Sequence, residues 1–461
     1  MRTEKDSMGK MVVPDDAYYG AQTQRAVENF QISGIRIPNA LIRALGMIKR
    51  SAAIVNFKLG LLDQARRDAI IQASDEVIEG KFNDHFLIDI FQTGSGTSSN
   101  MNTNEIIANR ASEIMGGTIG TREPVHPNDH VNKGQSSNDV IPTAIHIAAN
   151  VEIEKDLIPA LTELKNSLAE KASKWDSIVK IGRTHLQDAT PIRLGQEFSG
   201  YAAMIENGIK RLKNSQQLLS ELAQGGTAVG TGINTHVEFG ARIAKELSSL
   251  SGVSFKEAAN HFEAQATQDS SVETSGALKT VAVSLYKIAN DIRWLGSGPR
   301  AGIGELILPA VQPGSSIMPG KVNPVICEAL IQVSAQVVGN DAAITLGGMG
   351  GVFELNLMLP LIAHNLLQSI EIMSNAARMF KVKLLDDLEV DEQKCTNYIE
   401  GSLAMCTSLA PVIGYDRAAK IAHDAYESGK TVRQIALEQE VLDEKTLNEL
   451  LDPMSMTIPN K

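Results

Sequence analysis

The sequence predicts a mainly α-helical protein whose centre is a bundle of five long helices, and three observations support that fold. Stretches near 142–176, 193–224, 265–297, 322–347 and 356–388 repeat apolar residues every three or four positions, the period of one helix face. No strand-like alternation competes with them in that region. Aromatic residues make up only 4% of the chain, too few for an all-β sandwich or for a protein that binds nucleic acid by base stacking.

Taken in order, residues 1–135 form an N-terminal segment of loops and short helices. Residues 40–59 and 66–78 have helical patterning. Residues 100–115 form a third helix, entered through Thr93-Gly94-Ser95-Gly96-Thr97 and closed by Gly116-Gly117, since glycine tolerates the left-handed conformation that ends a helix. The central segment, 136–390, holds the five long helices. Its cleanest stripe is Leu278, Val281, Leu285, Ile288, Ile292 and Leu295. Leu194, Phe198, Tyr201, Ile205 and Leu212 repeat it in the second helix, and Ile326, Leu330, Val333 and Val337 in the fourth. This is the seam of near-parallel helix packing. Pro159 falls inside the first of these helices and Pro360 near the start of the fifth, where kinks are expected. Residues 391–461 read as a small, charged helical cap punctuated by Gly414, Gly429 and Pro453.

Bulk properties narrow the function. Across 461 residues, 43 basic and 54 acidic side chains leave a net charge of −11, which disfavours nucleic acid and anionic membranes as partners. An anionic substrate therefore needs a local positive field. Cys327, Cys395 and Cys406 are scattered, giving neither a disulfide framework nor an iron–sulfur ligand set. No apolar run approaches the ~18 residues of a membrane span, and the N-terminus is charged, so a cytoplasmic protein is expected, with no metal or other cofactor.

Four short polar loops carry the chemistry. They contain Ser95-Gly96-Thr97, then Gln135-Ser136-Ser137-Asn138-Asp139, then Gly182-Arg183-Thr184-His185-Leu186-Gln187-Asp188-Ala189-Thr190-Pro191, and finally Gly314-Ser315-Ser316-Ile317-Met318-Pro319-Gly320-Lys321-Val322-Asn323-Pro324. Each precedes a predicted helix, and in the last Asn323 reads as the N-cap before Pro324 at the first helical position. Taken singly, each is explained by helix capping. Together, with a histidine in one and a lysine in another, they describe a site for a small anion, because helix N-termini offer unpaired N–H groups and a positive dipole end. If successive long helices alternate in direction, the loops opening the second and fourth lie at one end of the bundle and that opening the first at the other. A homo-oligomer with composite sites follows from that topology.

The run from Gly314 to Pro324 resembles the signature of the fumarase/aspartase superfamily. Within it the chain is similar to the class II, iron-independent fumarate hydratase family over essentially its whole length. Thr93-Gly94-Ser95-Gly96-Thr97, Gln135-Ser136-Ser137-Asn138, Gly225-Gly226-Thr227 and Asn234-Thr235-His236 favour that family over aspartate ammonia-lyases. The resemblance implies reversible hydration of fumarate to L-malate by a homotetramer whose long helices form one core, each site drawing loops from three subunits. It implies Ser315 as the base at carbon, and His185 acting through a bound water with Glu328 as its carboxylate partner. Lys321, Asn323 and Ser316 would hold one substrate carboxylate. Ser95, Gly96, Thr97, Ser136, Ser137, Asn138 and Thr184 would line the rest of the pocket. His126-Pro127-Asn128-Asp129 resembles a second dicarboxylate-binding loop, carried by His126, Asn128 and Asp129. The chain departs from that pattern at Glu123, where a basic residue is expected, and at His130, where an acidic one is, which weakens the expectation of a second site. The alternatives are an aspartate ammonia-lyase and a non-catalytic structural relative, since one fold serves several functions.

Overall fold

The computed structural model describes residues 1–459, and its sheets have two strands each among the described residues. A hairpin of β1 (Arg2–Asp6) and β2 (Gly9–Val13) comes first. Helices α1 (Ala21–Asn29), α2 (Asn39–Lys58), α3 (Gln64–Ile78) and α4 (Thr97–Ile114) follow. Next are α5 (Ser137–Glu152), α6 (Ile158–Lys174), a hairpin of β3 (Val179–Thr184) and β4 (Gln187–Arg193), and α7 (Leu194–Leu219). Then come α8 (Phe239–Ser251), α9 (His261–Ala266), α10 (Asp269–Leu295), α11 (Val325–Gly348) and α12 (Leu359–Phe380). The chain ends in α13 (Glu392–Gly401), α14 (Ala410–Ile413), α15 (Tyr415–Ser428), α16 (Val432–Glu438) and α17 (Glu444–Leu450).

The apolar stripes become buried faces. All six stripe residues of α10 and all five of α7 are buried. On α11, Leu330 and Val337 are buried, whereas Ile326 and Val333 stay half-exposed in the single chain. The structure corrects the sequence reading at three places. The stretch expected as one helix over 142–176 is α5 and α6 joined by a π-turn, Ile153–Leu157. There Ile158 N–H donates to Ile153 O, five residues back, and Pro159 has no N–H with which to continue the α ladder. Pro360 breaks no helix, because it occupies the second position of α12, where an N–H has no intrahelical partner to lose. The loop expected over 182–191 is instead the β3–β4 hairpin, with a register shift between Ile181 and Arg183. Its alternation is hidden because Lys180 is buried in an ion pair and Gly182 has Thr190 O where a Cβ would stand, at 2.6 Å.

The chain forms two compact units, each assembled from three separated stretches. Unit 1 comprises Met1–Pro159, Gly208–Ala282 and Val333–Ser374, and unit 2 comprises Ala160–Asn207, Val283–Gln332 and Asn375–Lys461. In unit 1, α2 packs against α3, α5 and α8, and α4 against α1 and α3. In unit 2, β3 packs on α13 and β4 on the 403–408 turn, over a core that includes Ile399, Leu409, Ile421, Ile435 and Leu447.

Candidate active site

Unit 1 joins the first two polar loops. Gly96 is the left-handed N-cap of α4 at φ 71°, and a Cβ there would stand 2.9 Å from the Ile141 side chain of α5, so only glycine allows this approach. The contact lets hydroxyls from both helices meet. Ser95 Oγ shares a hydrogen bond with Thr97 Oγ1 at 2.8 Å, and Thr97 Oγ1 with Ser137 Oγ at 2.7 Å. Ser136 caps α5, its Oγ accepting from Asn138 N–H at 3.3 Å while Asp139 Oδ1 accepts from Ser136 N–H at 2.9 Å. Asn138 Nδ2 donates to Ala228 O at 2.8 Å. The other Asp139 oxygen accepts from Gly225 and Thr227 N–H at 3.2 and 2.9 Å. A third loop is thus tied to the same point. Burial pushes the Asp139 carboxyl up to about 6, with these N–H groups opposing it.

Unit 2 carries the candidates of the third and fourth loops. Gly314 N–H donates to Lys321 O at 2.8 Å, and a Cβ on Gly314 would meet that oxygen at 2.5 Å. Asn323 Nδ2 donates to Gly314 O at 2.5 Å while its Oδ1 accepts from Lys321 Nζ at 2.8 Å. The expected capping role of Asn323 is therefore replaced by loop closure: its amide fastens the loop and α11 begins at Val325. Within the loop, Ser315 Oγ accepts from Ile317 N–H at 3.2 Å and Met318 N–H at 2.9 Å. Ser316 is exposed beside it. Glu328, whose N–H donates to Pro324 O at 3.1 Å, lies one turn into α11. It lines a cavity of about 700 Å³ together with Lys321, Asn323, Arg293 and Lys394.

Thr184 and His185 lie at the tip of the β3–β4 hairpin, which closes in two residues, with Thr184 opposite Gln187. His185 and Leu186 are both left-handed, at φ 56° and 60°. A two-residue turn of this kind favours Asn-Gly, and side chains with a Cβ cost about 1–2 kcal/mol each there. The hairpin is anchored below by Arg183, whose guanidinium donates to both oxygens of Glu305 at 3.0 and 2.8 Å. Glu305 is fully buried and also pairs with Lys180 at 3.2 Å.

His126, Asn128 and Asp129 share one turn of unit 1. His126 Nδ1 accepts from the N–H groups of Asn128 and Asp129, each at 3.2 Å. That ring nitrogen is committed to the turn itself. Arg66, Arg122 and Glu123 line the same hollow of about 740 Å³. Among the described residues, no group of three or more His, Cys, Asp or Glu side chains is placed to hold a metal ion, and no helix is long and apolar enough to cross a membrane.

Sequence motifs do not single out Lys49 or Glu305, whose partners lie far away along the chain. A signal for Lys49 does exist. It interrupts the buried stripe Leu45, Ala52, Ala53 and Asn56 of α2 with a charge where an apolar residue is the rule.

Residues 9–339 match the family model described as lyase, and residues 405–458 match that described as fumarase C C-terminus. The chain is 54% identical over 460 residues to the mitochondrial fumarate hydratase of Saccharomyces cerevisiae, covering 99% of this chain and 94% of that one. Identity reaches 56% over 456 residues with the class II fumarate hydratase of Halobacterium salinarum, covering 99% and 97%. The crystal structure of class II fumarase from Schistosoma mansoni superposes with a TM-score of 0.97 at 41% identity, covering both chains completely. Sequence, fold and the serine-bearing loop agree: this chain belongs to the class II fumarate hydratase family of lyases.

Proposed function

We propose that the protein catalyses reversible hydration of fumarate to L-malate, with Ser315 as the base at carbon. From malate, Ser315 Oγ takes a C3 proton and the electron pair moves into the adjacent carboxylate, forming a doubly charged aci-carboxylate. The C2–O bond then breaks, the hydroxyl takes a proton through water held by His185, and the pair returns to form the alkene. Glu328 orients His185. Lys321, Asn323 and Ser316 hold the aci-carboxylate with fixed donors, which stabilise developing charge better than mobile water does. Ser95, Gly96, Thr97, Ser136, Ser137, Asn138 and Thr184 line the opposite face.

The observation that carries this reading is the pair of backbone N–H groups aimed at Ser315 Oγ. A serine is a weak base unless its alkoxide is stabilised, and two converging N–H donors beside a lysine supply that stabilisation.

The reading includes a homotetramer whose sites are completed by loops from three subunits. Large apolar side chains left exposed on long helices, Val283 and Tyr286 of α10 and Val338 and Leu346 of α11, support it. It also includes the division at 135 and 390 into N-terminal, central and cap segments. A cytoplasmic location fits three free thiols, which a reducing compartment preserves. A second dicarboxylate site at His126, Asn128 and Asp129 is not part of this reading.

Purified protein supplied with malate should gain alkene absorbance and release no ammonia from aspartate; the reverse pattern would establish an ammonia-lyase, and silence with both a structural relative. Ser315→Ala should lower kcat by roughly 10²–10⁴-fold, the usual worth of a positioned base, with the oligomer intact. Dehydration at near the parent rate would end the base assignment.

A further inference from the structure

Lys49 lies at the middle of α2, the central helix of unit 1, with a relative exposure of 0%. A lysine is almost never buried so completely unless its amine is held by partners. Nζ donates to Asn132 Oδ1 and to Gln135 Oε1, both at 3.0 Å. Gln135 immediately precedes Ser136. Asn132 Nδ2 donates to Gln135 O at 3.1 Å, and Asn132 Oδ1 also accepts from Asn100 and Asn104 of α4 at 3.3 and 3.2 Å. The amine thus sits where α2, the helix opened by Thr97 and the strand of chain entering α5 converge.

We propose that Lys49 is a positioning residue for the dicarboxylate-holding face of the site: through Gln135 and Asn132 it fixes residues 136–138 against α4, and its ammonium supplies buried positive charge behind them. This rests on the proposed reading of residues 136–138 as carboxylate holders. It also locates a positive field in a chain whose net charge is −11.

Among the groups around the amine, Asp139, itself pushed up to about 6, changes charge in a neighbouring pH range. From α5, Asp139 attracts its charge. From α4 come the neutral amides of Asn100 and Asn104. From the turn Pro127–Val131, His130 has its Nδ1 occupied by the N–H of His126 at 2.8 Å. Asp75 of α3 pairs with Arg50, and Glu246 of α8 with Lys58. Burial pushes the Lys49 amine down to about 7, with Asp139 opposing that shift. The proton, and with it affinity for a dianion, is therefore lost as pH rises through neutrality.

Lys49→Met keeps the bulk and removes the amine. The expected result is a KM for malate raised about tenfold or more, the loss of a hydrogen-bonded charge, with kcat within about threefold of parent. A residue that only supports the fold would lower the melting temperature or active fraction and leave KM unchanged. Lys49→Gln is read in the same way where the methionine variant fails to assemble. A third measurement keeps the lysine: succinate binding is followed by calorimetry in His185→Asn protein, which takes the proposed acid–base imidazole out of the measurement. Its dissociation constant should rise by up to about 30-fold from pH 6 to pH 8.5, the limit for loss of one linked proton from a group at about 7. A flat response, or a folded variant with parent KM, overturns the proposal. Asn138→Ala is run alongside. If it leaves KM unchanged, the reading of residues 136–138 fails and takes the role of Lys49 with it. If it raises KM while Lys49→Met does not, the Lys49 proposal fails alone.

Discussion

In unit 1 the candidate donors are hydrogen-bonded to one another and backed by buried groups, whereas the loop of unit 2 is closed on itself and faces solvent. Ser95, Thr97 and Ser137 form a chain of hydroxyls at 2.7–2.8 Å, with Asp139 completely buried behind. Around Ser315 the bonds run within residues 314–323, and Ile317 at the loop's apex is 84% exposed. The contrast follows from the two tasks proposed. Groups that only hold carboxylates gain from being locked beforehand, because no ordering remains to be done on binding. A base must stay reachable by a carbon-bound proton, so its loop supplies its own stabilising N–H groups and stays open beside the holders Ser316, Lys321 and Asn323. The hairpin tip at His185 is a third case, held in a costly conformation by a buried ion pair beneath it.

That contrast can be broken by changes in either unit. The largest effect is expected from Gly314→Ala, since the added Cβ meets Lys321 O at 2.5 Å and Asn323 N at 2.8 Å. Opening the loop should lower kcat by about 10²-fold, the usual result of an ångström-scale misplacement. The melting temperature should barely move, because the loop covers no core. A large fall in melting temperature would show that the loop is structural. In unit 1, Thr97→Val removes the central hydroxyl of the chain. It should raise KM about 5- to 10-fold, the worth of about one hydrogen bond, with kcat nearly unchanged; a kcat loss equal to that of the Gly314 variant would erase the distinction between the units.

Leu186→Gly should relieve the left-handed turn by about 1 kcal/mol, seen as slower amide hydrogen exchange at Thr184 and Gln187. Faster exchange would mean that the Leu186 side chain is needed to hold the tip. The smallest effect concerns acid stability of the unit 1 scaffold. Arg110 of α4 hydrogen-bonds Glu76 of α3 and holds that carboxyl below its usual range. The pair's contribution is complete above the ordinary glutamate pKa and is lost as pH falls through the lowered value. Arg110→Met should therefore cost about 1 kcal/mol at pH 7, the upper worth of a partly exposed ion pair, and less at pH 2 on thermal melting. An equal cost at both would assign Arg110 to packing alone.

The long helices are readable in the sequence because stripes such as Leu278 to Leu295 bury a continuous face. Where backbone chemistry overrides periodicity, the stripe misleads: Pro159 signals a kink, but not the π-turn before it that divides the helix in two. The β3–β4 hairpin is hidden for another reason, since its inward position Lys180 is charged and is neutralised by Glu305, 125 residues later. The same limit applies around the site. Small polar residues before a helix announce themselves locally, as Ser136 does at the cap of α5. Lys49 has no local signature beyond a charge in an apolar stripe, because Asn132 and Gln135, which justify its burial, belong to another part of the chain.

The division of each unit among three stretches of chain has a consequence for synthesis. Unit 1 requires Val333–Ser374 and unit 2 requires Asn375–Lys461, so a growing chain has most of its length made before either core can close. Until then, apolar helix faces wait for partners not yet translated, and contacts between distant stretches form slowly. A nascent chain stopped at residue 332 holds two unfinished cores and no finished domain, which makes its last third the step at which protection from aggregation matters most.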